Sequence, residues 1–241
     1  MKHLKSTKNY LYDFVIVVTV KKEKDILKFV KQIKKNLIYK KYCLIFYFDK
    51  SRDLNTFNTF CNLRSKYKNL FVIYNPKVKN LADAYYNAYL YASKINSKWV
   101  ISMNAGFRHQ PGDLMLFINK LNNNLDCIWG YRELNNKKYS PLRQLVSYFG
   151  NLLSKNILNI SIKDPTSGFY AIKSNLLLKK LSDINGFISK YHFFDTELKF
   201  YLRKNKFSLV RIRYKTYNKG IHLKILIDSL LTLIKLSFKR N

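Results

Sequence analysis

The sequence predicts an α/β fold built on a mostly parallel sheet, and three observations predict it. From Asp13 onward, short β-branched runs alternate with longer amphipathic stretches, the pattern of repeated βαβ units. The run Trp99 to Met103 is apolar throughout, as a strand covered on both faces must be. It feeds a polar turn, Asn104 to Pro111, in the position where open α/β sheets carry their sites. A length of 241 residues suits one large domain and is too short for two generous ones.

Taken in order, the first strand is Phe14 to Val20. A helix from Glu23 to Leu37 follows, because Ile26, Leu27, Val30, Ile33 and Leu37 fall on one helical face. Cys43 to Phe48 is the next strand and Asp49 ends it. Asp53 is placed to cap a helix from Leu54 to Tyr67. Strand Leu70 to Tyr74 and helix Leu81 to Ser93 lead to the Trp99 strand, then helix Leu114 to Leu121 and strand Cys127 to Tyr131. The periodicity then changes to a helix Leu142 to Leu158, a turn Lys163 to Ser167 and a strand-like Gly168 to Ile172. Helices Ser174 to Leu181 and Asp195 to Lys204 precede a last strand, Phe207 to Tyr214. The chain divides into a basic tail 1–12, a domain 13–215 and a basic amphipathic segment 216–241. In that last segment Leu223, Leu226, Ile227, Leu230, Leu231, Ile234 and Phe238 share one face, so it lies on a surface.

Charge narrows the partners. There are 45 Lys and Arg against 14 Asp and Glu, a formal +31, which favours a polyanion: nucleic acid, anionic lipid or a phosphorylated substrate. The excess is mostly Lys and travels with many Asn, Ile, Tyr and Phe, as A+T-rich coding produces, so the charge also has a source that needs no partner. Nucleic acid is disfavoured, because the lysines are dispersed over predicted helices and no recognition motif accompanies them. Cys43, Cys61 and Cys127 are an odd set without CxxC spacing, which argues against a disulfide framework or zinc site and fits a reducing cytoplasm. The polar stretch Met1 to Asn9 lacks the apolar centre of a signal peptide, and no apolar run reaches transmembrane length. His109 and His192 have no nearby carboxylates in pattern and are not read as metal ligands. The clusters Tyr85, Tyr86, Tyr89, Tyr91 and Tyr42, Phe46, Tyr47 are spaced for core packing.

Four segments carry chemistry: VVTVKKE at Val17 to Glu23, FDKSRDLN at Phe48 to Asn55, NAGFRHQP at Asn104 to Pro111 and DPTSGFYAIK at Asp164 to Lys173. Their order and spacing over nearly the whole chain resemble the inverting family 2 glycosyltransferases of GT-A fold. The closest branch transfers mannose or glucose to dolichyl or polyprenyl phosphate. That family reads VIPTYNE, DDGSxDGT, DADxxHxP, DxTSGFRAY and a late RxxGxSK at these places. The resemblance implies a Rossmann-like GT-A domain with a C-terminal amphipathic helix, a UDP- or GDP-linked sugar donor and a polyprenyl-phosphate acceptor. It also implies a setting on the cytoplasmic face of a membrane.

The same resemblance assigns roles residue by residue. Thr19, Asp49 and Asp53 would contact the donor nucleotide, although Asp49 also serves simply to end a strand and Asp53 to cap a helix. The metal aspartates are replaced by Asn104 and Gly106, which leaves the family's usual Mg²⁺ or Mn²⁺ without its two carboxylates, so no metal ligand is assigned. Arg108 stands beside them, and two readings remain: a guanidinium that replaces the cation against the diphosphate, or a solvated turn arginine in a decayed site. The late motif keeps Gly220, with Lys219 and Lys224 nearby as donor contacts. On the acceptor side Asp164, Thr166 and Ser167 match closely, and Arg132 and Arg143 match basic positions that would hold the lipid phosphate. Arg108 and Asp164 are the candidates for the transfer step. Whether the chain catalyses transfer, or serves as a scaffold for an active partner transferase, stays open on the sequence.

Overall fold

The computed structural model describes residues 10–23, 25–50, 53–133, 141–214 and 222–239. Among these, the strands are β1 Tyr12–Val20, β2 Tyr42–Asp49, β3 Leu70–Asn75, β4 Ser97–Ser102, β5 Cys127–Tyr131, β6 Tyr170–Lys173 and β7 Phe207–Arg211. The helices are α1 Ile26–Asn36, α2 Leu54–Lys66, α3 Leu81–Lys94, α4 Leu114–Ile118, α5 Pro141–Leu158, α6 Ser174–Ile184, α7 Phe194–Tyr201 and α8 Leu223–Ser237. All seven strands form one sheet in the order β3-β2-β1-β4-β6-β5-β7. Only β6 runs against the rest, pairing antiparallel with both β4 and β5, so the expected mostly parallel α/β sheet is present.

β1 shows why this sequence makes this sheet. Phe14 to Val18 are buried without a break, because helices cover both faces of the sheet. Alternate residues serve opposite faces: Val15 and Val17 join the core beneath α3, while Phe14, Ile16 and Val18 join the core beneath α1. α1 contributes Ile26, Phe29, Val30 and Ile33 to its side. On the other side α3 buries Ala82, Ala84, Ala88 and Ala92, small side chains that let the helix approach the strands. Tyr85 and Tyr89 fill the space between, and a hydroxyl chain runs through the core. The Tyr89 hydroxyl lies 2.8 Å from Ser102 Oγ and 2.6 Å from the Tyr170 hydroxyl, which donates to Asp195 Oδ1 at 3.1 Å. Tyr42, Phe46 and Tyr47 are buried as their spacing predicts, whereas Tyr91 is exposed.

Several element boundaries differ from the sequence reading: the first helix starts at Ile26 and not Glu23, α4 stops at Ile118 and not Leu121, and β7 stops at Arg211 and not Tyr214. Gly168 and Phe169 stay in the turn and the strand starts at Tyr170; α7 begins at Phe194 and stops at Tyr201. α8 packs on α5 and buries Thr232, Leu233 and Leu236, the last two within the domain core. The apolar residues that the sequence placed on one face, Leu223 through Phe238, are turned outward from the domain. Among the described residues no helix is long and apolar enough to cross a membrane.

Ala88 is fully buried between α3 and the sheet, so Ala88→Leu must overpack this layer and is expected to cost about 1–3 kcal/mol. A chemical denaturation curve with an unchanged midpoint would show that α3 does not lie on the sheet this closely.

Candidate functional site

The sheet order reverses at β1, which has β2 on one side and β4 on the other. Open α/β sheets form their crevice at such a point, beyond the carboxyl ends of the strands. A cleft of about 1210 Å³ lies there. Thr19 and the 21–23 turn enter it from β1, Asp49 and Lys50 from β2, Lys79 and Tyr85 from the start of α3, and Asn104 to Arg108 from β4. Lys21, Lys22, Lys28, Lys50, Lys79 and Arg108 line it against Glu23, Asp25 and Asp49. These cations come from five separate stretches of chain, and the walls are therefore predominantly positive, suited to a multiply charged anion.

The turn after β4 is held from beneath. Met103 N–H donates to Val17 O at 3.1 Å and extends the contact with β1. The Asn104 N–H donates to Nδ1 of His109 at 2.9 Å, and the Asn104 side-chain oxygen accepts from the Tyr85 hydroxyl at 3.1 Å. His109 is buried, and that burial, together with the charges of Arg132 and Arg108, lowers its pKa to about 3. The ring is therefore neutral and keeps the lone pair that Asn104 needs. It stacks on Phe169 at 4.8 Å and lies 5.4 Å from Tyr214, while its backbone bridges that of Tyr214. Gly106 has φ +69°, a conformation that favours glycine. A Cβ at this position would collide with the Glu23 carboxylate.

These contacts decide whether the residues fit the family's divalent ion. Asn104 offers an amide oxygen already bonded to Tyr85, Gly106 has no side chain, and the space beside it is taken by Glu23. Among the described residues no three His, Cys, Asp or Glu side chains are placed to share an ion. A hard cation of the Mg²⁺ type is ordinarily held by one or two carboxylates together with substrate phosphates, and the turn itself supplies none. The donor set does not fit the two-aspartate site.

A second cluster lies on the other side of His109. Asp164, almost wholly buried, accepts from Arg132 Nε at 2.7 Å, Arg132 Nη2 at 2.9 Å, Arg132 N at 3.1 Å and Thr166 Oγ1 at 3.0 Å. Arg132 Nη2 also donates to Thr166 Oγ1 at 2.7 Å. Burial works to raise the Asp164 pKa, but the charge and hydrogen bonds of Arg132 prevail and hold it at about 2. The turn is tied to α7 by Lys199, fully buried, whose Nζ donates to Pro165 O at 2.9 Å and Ser167 O at 2.5 Å. Burial lowers the Lys199 pKa to about 8, with Asp195 and Asp164 opposing the shift.

Thr19, Asp49, Asn104, Gly106 and Arg108 thus meet in one cleft, and Arg132, Asp164 and Thr166 meet in one ion-paired cluster. Asp53 does not line the cleft: its carboxylate accepts from the Thr56 N–H at 3.0 Å and Thr56 Oγ1 at 2.8 Å, capping α2. Ser167 is buried beneath the turn. Lys224 is exposed in the first turn of α8, away from the cleft. Arg143 lies on α5 with its side chain outside the described residues, and Lys219 and Gly220 fall outside them altogether. Tyr85, Lys199 and the structural role of His109 escaped the sequence reading. Tyr85 and Lys199 sit in ordinary amphipathic helices, and no local pattern marks a residue that acts across the sheet.

The Asp164 carboxyl, held below its ordinary value of 3.8, contributes stability that is complete above that value and is lost as pH falls toward about 2. Arg132→Met leaves the buried charge unpaired and is expected to cost about 3 kcal/mol at neutral pH. Acid unfolding measured in the wild type and the variant checks both statements. Equal stability at neutral pH would refute the pairing.

Residues 14–181 match the model of glycosyl transferase family 2. No sequence relative among curated proteins matches the chain. Glucosyl-3-phosphoglycerate synthase from Mycobacterium tuberculosis, solved with Mn²⁺, UDP and phosphoglyceric acid, superposes with a TM-score of 0.54 at 13% identity over 94% of this chain and 78% of that one. Mannosyltransferase PcManGT from Pyrobaculum calidifontis, solved with GDP-Man and Mn²⁺, gives 0.59 at 12% identity over 95% and 66%. Mannosyl-3-phosphoglycerate synthase from Rubrobacter xylanophilus gives 0.53 at 12% identity over 95% and 74%. At such identities the superpositions establish a shared fold.

Proposed function

The chain belongs to glycosyl transferase family 2, and from that premise we propose that it binds a nucleotide-sugar whose diphosphate is held by Arg108 and the surrounding lysines in place of a two-aspartate metal site. The observation that carries this reading is the cleft itself, with six cationic side chains converging beyond the ends of β1, β2 and β4. The two solved relatives with UDP or GDP-Man support the class of donor. Asp49, at the end of β2, accepts the imide or amino hydrogens of the base, and Thr19 faces the ribose side. A guanidinium is permanently charged and offers a rigid fork to phosphate oxygens, so Arg108 stabilises the leaving diphosphate as its charge develops.

The acceptor in this proposal is a polyprenyl phosphate on the cytoplasmic face of a membrane. Its phosphate is already an anionic nucleophile and needs no strong general base. Asp164 acts by holding Arg132 flat, and Arg132 with Arg143 holds the acceptor phosphate; Lys224, on α8, adds positive charge near the lipid side.

A second reading, a non-catalytic partner of an active transferase, draws on the same turn, because Asn104 and Gly106 bring no carboxylates to it. The two readings part in one assay. Arg108→Ala is expected to weaken UDP or GDP binding at least about tenfold, the loss of one charged hydrogen-bonding group, and to abolish sugar transfer to polyprenyl phosphate, with Arg108→Lys restoring part of the binding. Tight nucleotide binding without any transfer from a panel of UDP- and GDP-sugars would favour the partner reading. Unchanged binding in Arg108→Ala would refute the role of Arg108.

A further inference from the structure

We propose that α5 and α8 together form one rigid surface that seats in the headgroup layer of an anionic bilayer, beside the wall of the cleft. The inference rests on the membrane reading above and extends it to a helix, α5, whose sequence pattern carries no sign of lipid contact. On α5, Tyr148, Phe149, Leu152 and Leu153 are 39–57% exposed, and on α8 the apolar face from Leu226 to Phe238 is 38–82% exposed. The two helices pack against each other, so these faces adjoin. Soluble chains seldom leave an apolar area of this extent uncovered without an occupant.

Charge selects the occupant. α5 contains no acidic residue and α8 contains one, Asp228, whereas the described side chains of the pair include Lys155, Lys224 and Lys235, with Lys239 just beyond. Asp228 is turned inward: its carboxylate accepts from Ser189 Oγ at 2.7 Å, Lys190 N at 3.0 Å and Tyr191 N at 3.3 Å. The outward side is therefore apolar at its centre and purely cationic at its rim, the pattern that binds an anionic lipid interface. Two copies of the chain meeting through this face would oppose like charges.

The same carboxylate explains why the surface is rigid and where it sits. Asp228 of α8 and Glu197 of α7 between them satisfy four successive backbone N–H groups, since Glu197 accepts from Ile188 N at 2.8 Å and Ser189 N at 3.0 Å. Lys190 O accepts from Ala82 N at the start of α3, and His192, next in the chain after Tyr191, lines the cleft. The lipid-facing helix is thus fastened to the segment that borders the nucleotide site.

Cosedimentation of the full chain with phosphatidylcholine vesicles, with and without phosphatidylglycerol, tests the proposal. Binding is expected with the anionic vesicles and to weaken at least about tenfold both in Leu152→Glu/Leu153→Glu on α5 and in Leu230→Glu/Leu231→Glu on α8. Leu152→Ser/Leu153→Ser, which adds no charge, should weaken it to a smaller degree. Ile38→Glu/Tyr39→Glu, an exposed apolar pair elsewhere, should leave binding intact. UDP binding in solution reports that each variant is folded and reads the donor site separately from the membrane. Wild-type binding in the α5 variants would overturn the two-helix surface while leaving docking by α8 in place. Equal binding to neutral vesicles would overturn the charge argument. A wild-type dimer that the same substitutions dissolve, without lipid binding, would assign the face to a second copy.

Discussion

Burial and the neighbouring guanidiniums keep His109 uncharged, and an uncharged imidazole has an Nδ1 lone pair with which to accept the Asn104 N–H. That bond and the stacking of the ring on Phe169 join the two halves of the site. On one side His109 fixes the turn that follows β4, which presents Asn104, Gly106 and Arg108 to the cleft. On the other it packs against the segment containing Asp164, Thr166 and Phe169, whose Asp164 is ion-paired to Arg132. A protonated ring would lose the acceptor and place a third cation between Arg132 and Arg108. The spacing between the turn and the Asp164–Arg132 cluster therefore depends on one neutral side chain.

The walls of the cleft carry more positive than negative side chains, and the turn after β4 adds no carboxylate to them. A divalent ion neutralises a diphosphate with charge that carboxylates hold in place. Asn104 and Gly106 bring no carboxylate to the turn, so Glu23, Asp25 and Asp49 are outnumbered by the five lysines and Arg108 that line the cleft, and it keeps an excess of positive charge. Gly106 sets the geometry of this turn. Its left-handed backbone and missing side chain make room for Glu23 from the turn after β1, so an aspartate there would require that turn to move as well.

Sequence pattern carried the fold far because its signals are local. The buried run of β1, the helical stripe of α1 and the capping Asp53 each depend on a few neighbouring residues; β1 and the cap are found where expected, and the stripe keeps Ile26, Val30, Ile33 and Leu37 but buries Phe29 while Leu27 points outward. The antiparallel direction of β6 has no local signal, since a four-residue apolar strand reads alike in either direction. The cleft residues brought by the family motifs, Thr19, Asp49, Asn104 and Arg108, did converge. What the pattern could not show was the convergence of Lys28, Lys50 and Lys79, far apart in the chain and each unremarkable in a lysine-rich sequence. Asp228 is the plainest case. Along the sequence it interrupts an apolar face, and in the fold it is the bond that fastens α8 to the loop before His192.

The central claim is that positive side chains, rather than a carboxylate-bound metal, receive the donor's diphosphate. Calorimetric titration of UDP and GDP into the full chain, first in EDTA and then in excess Mn²⁺, measures this directly. The account predicts binding in EDTA with an affinity that Mn²⁺ does not raise, and a steep loss of affinity with added salt. Binding that appears only with Mn²⁺ would contradict it.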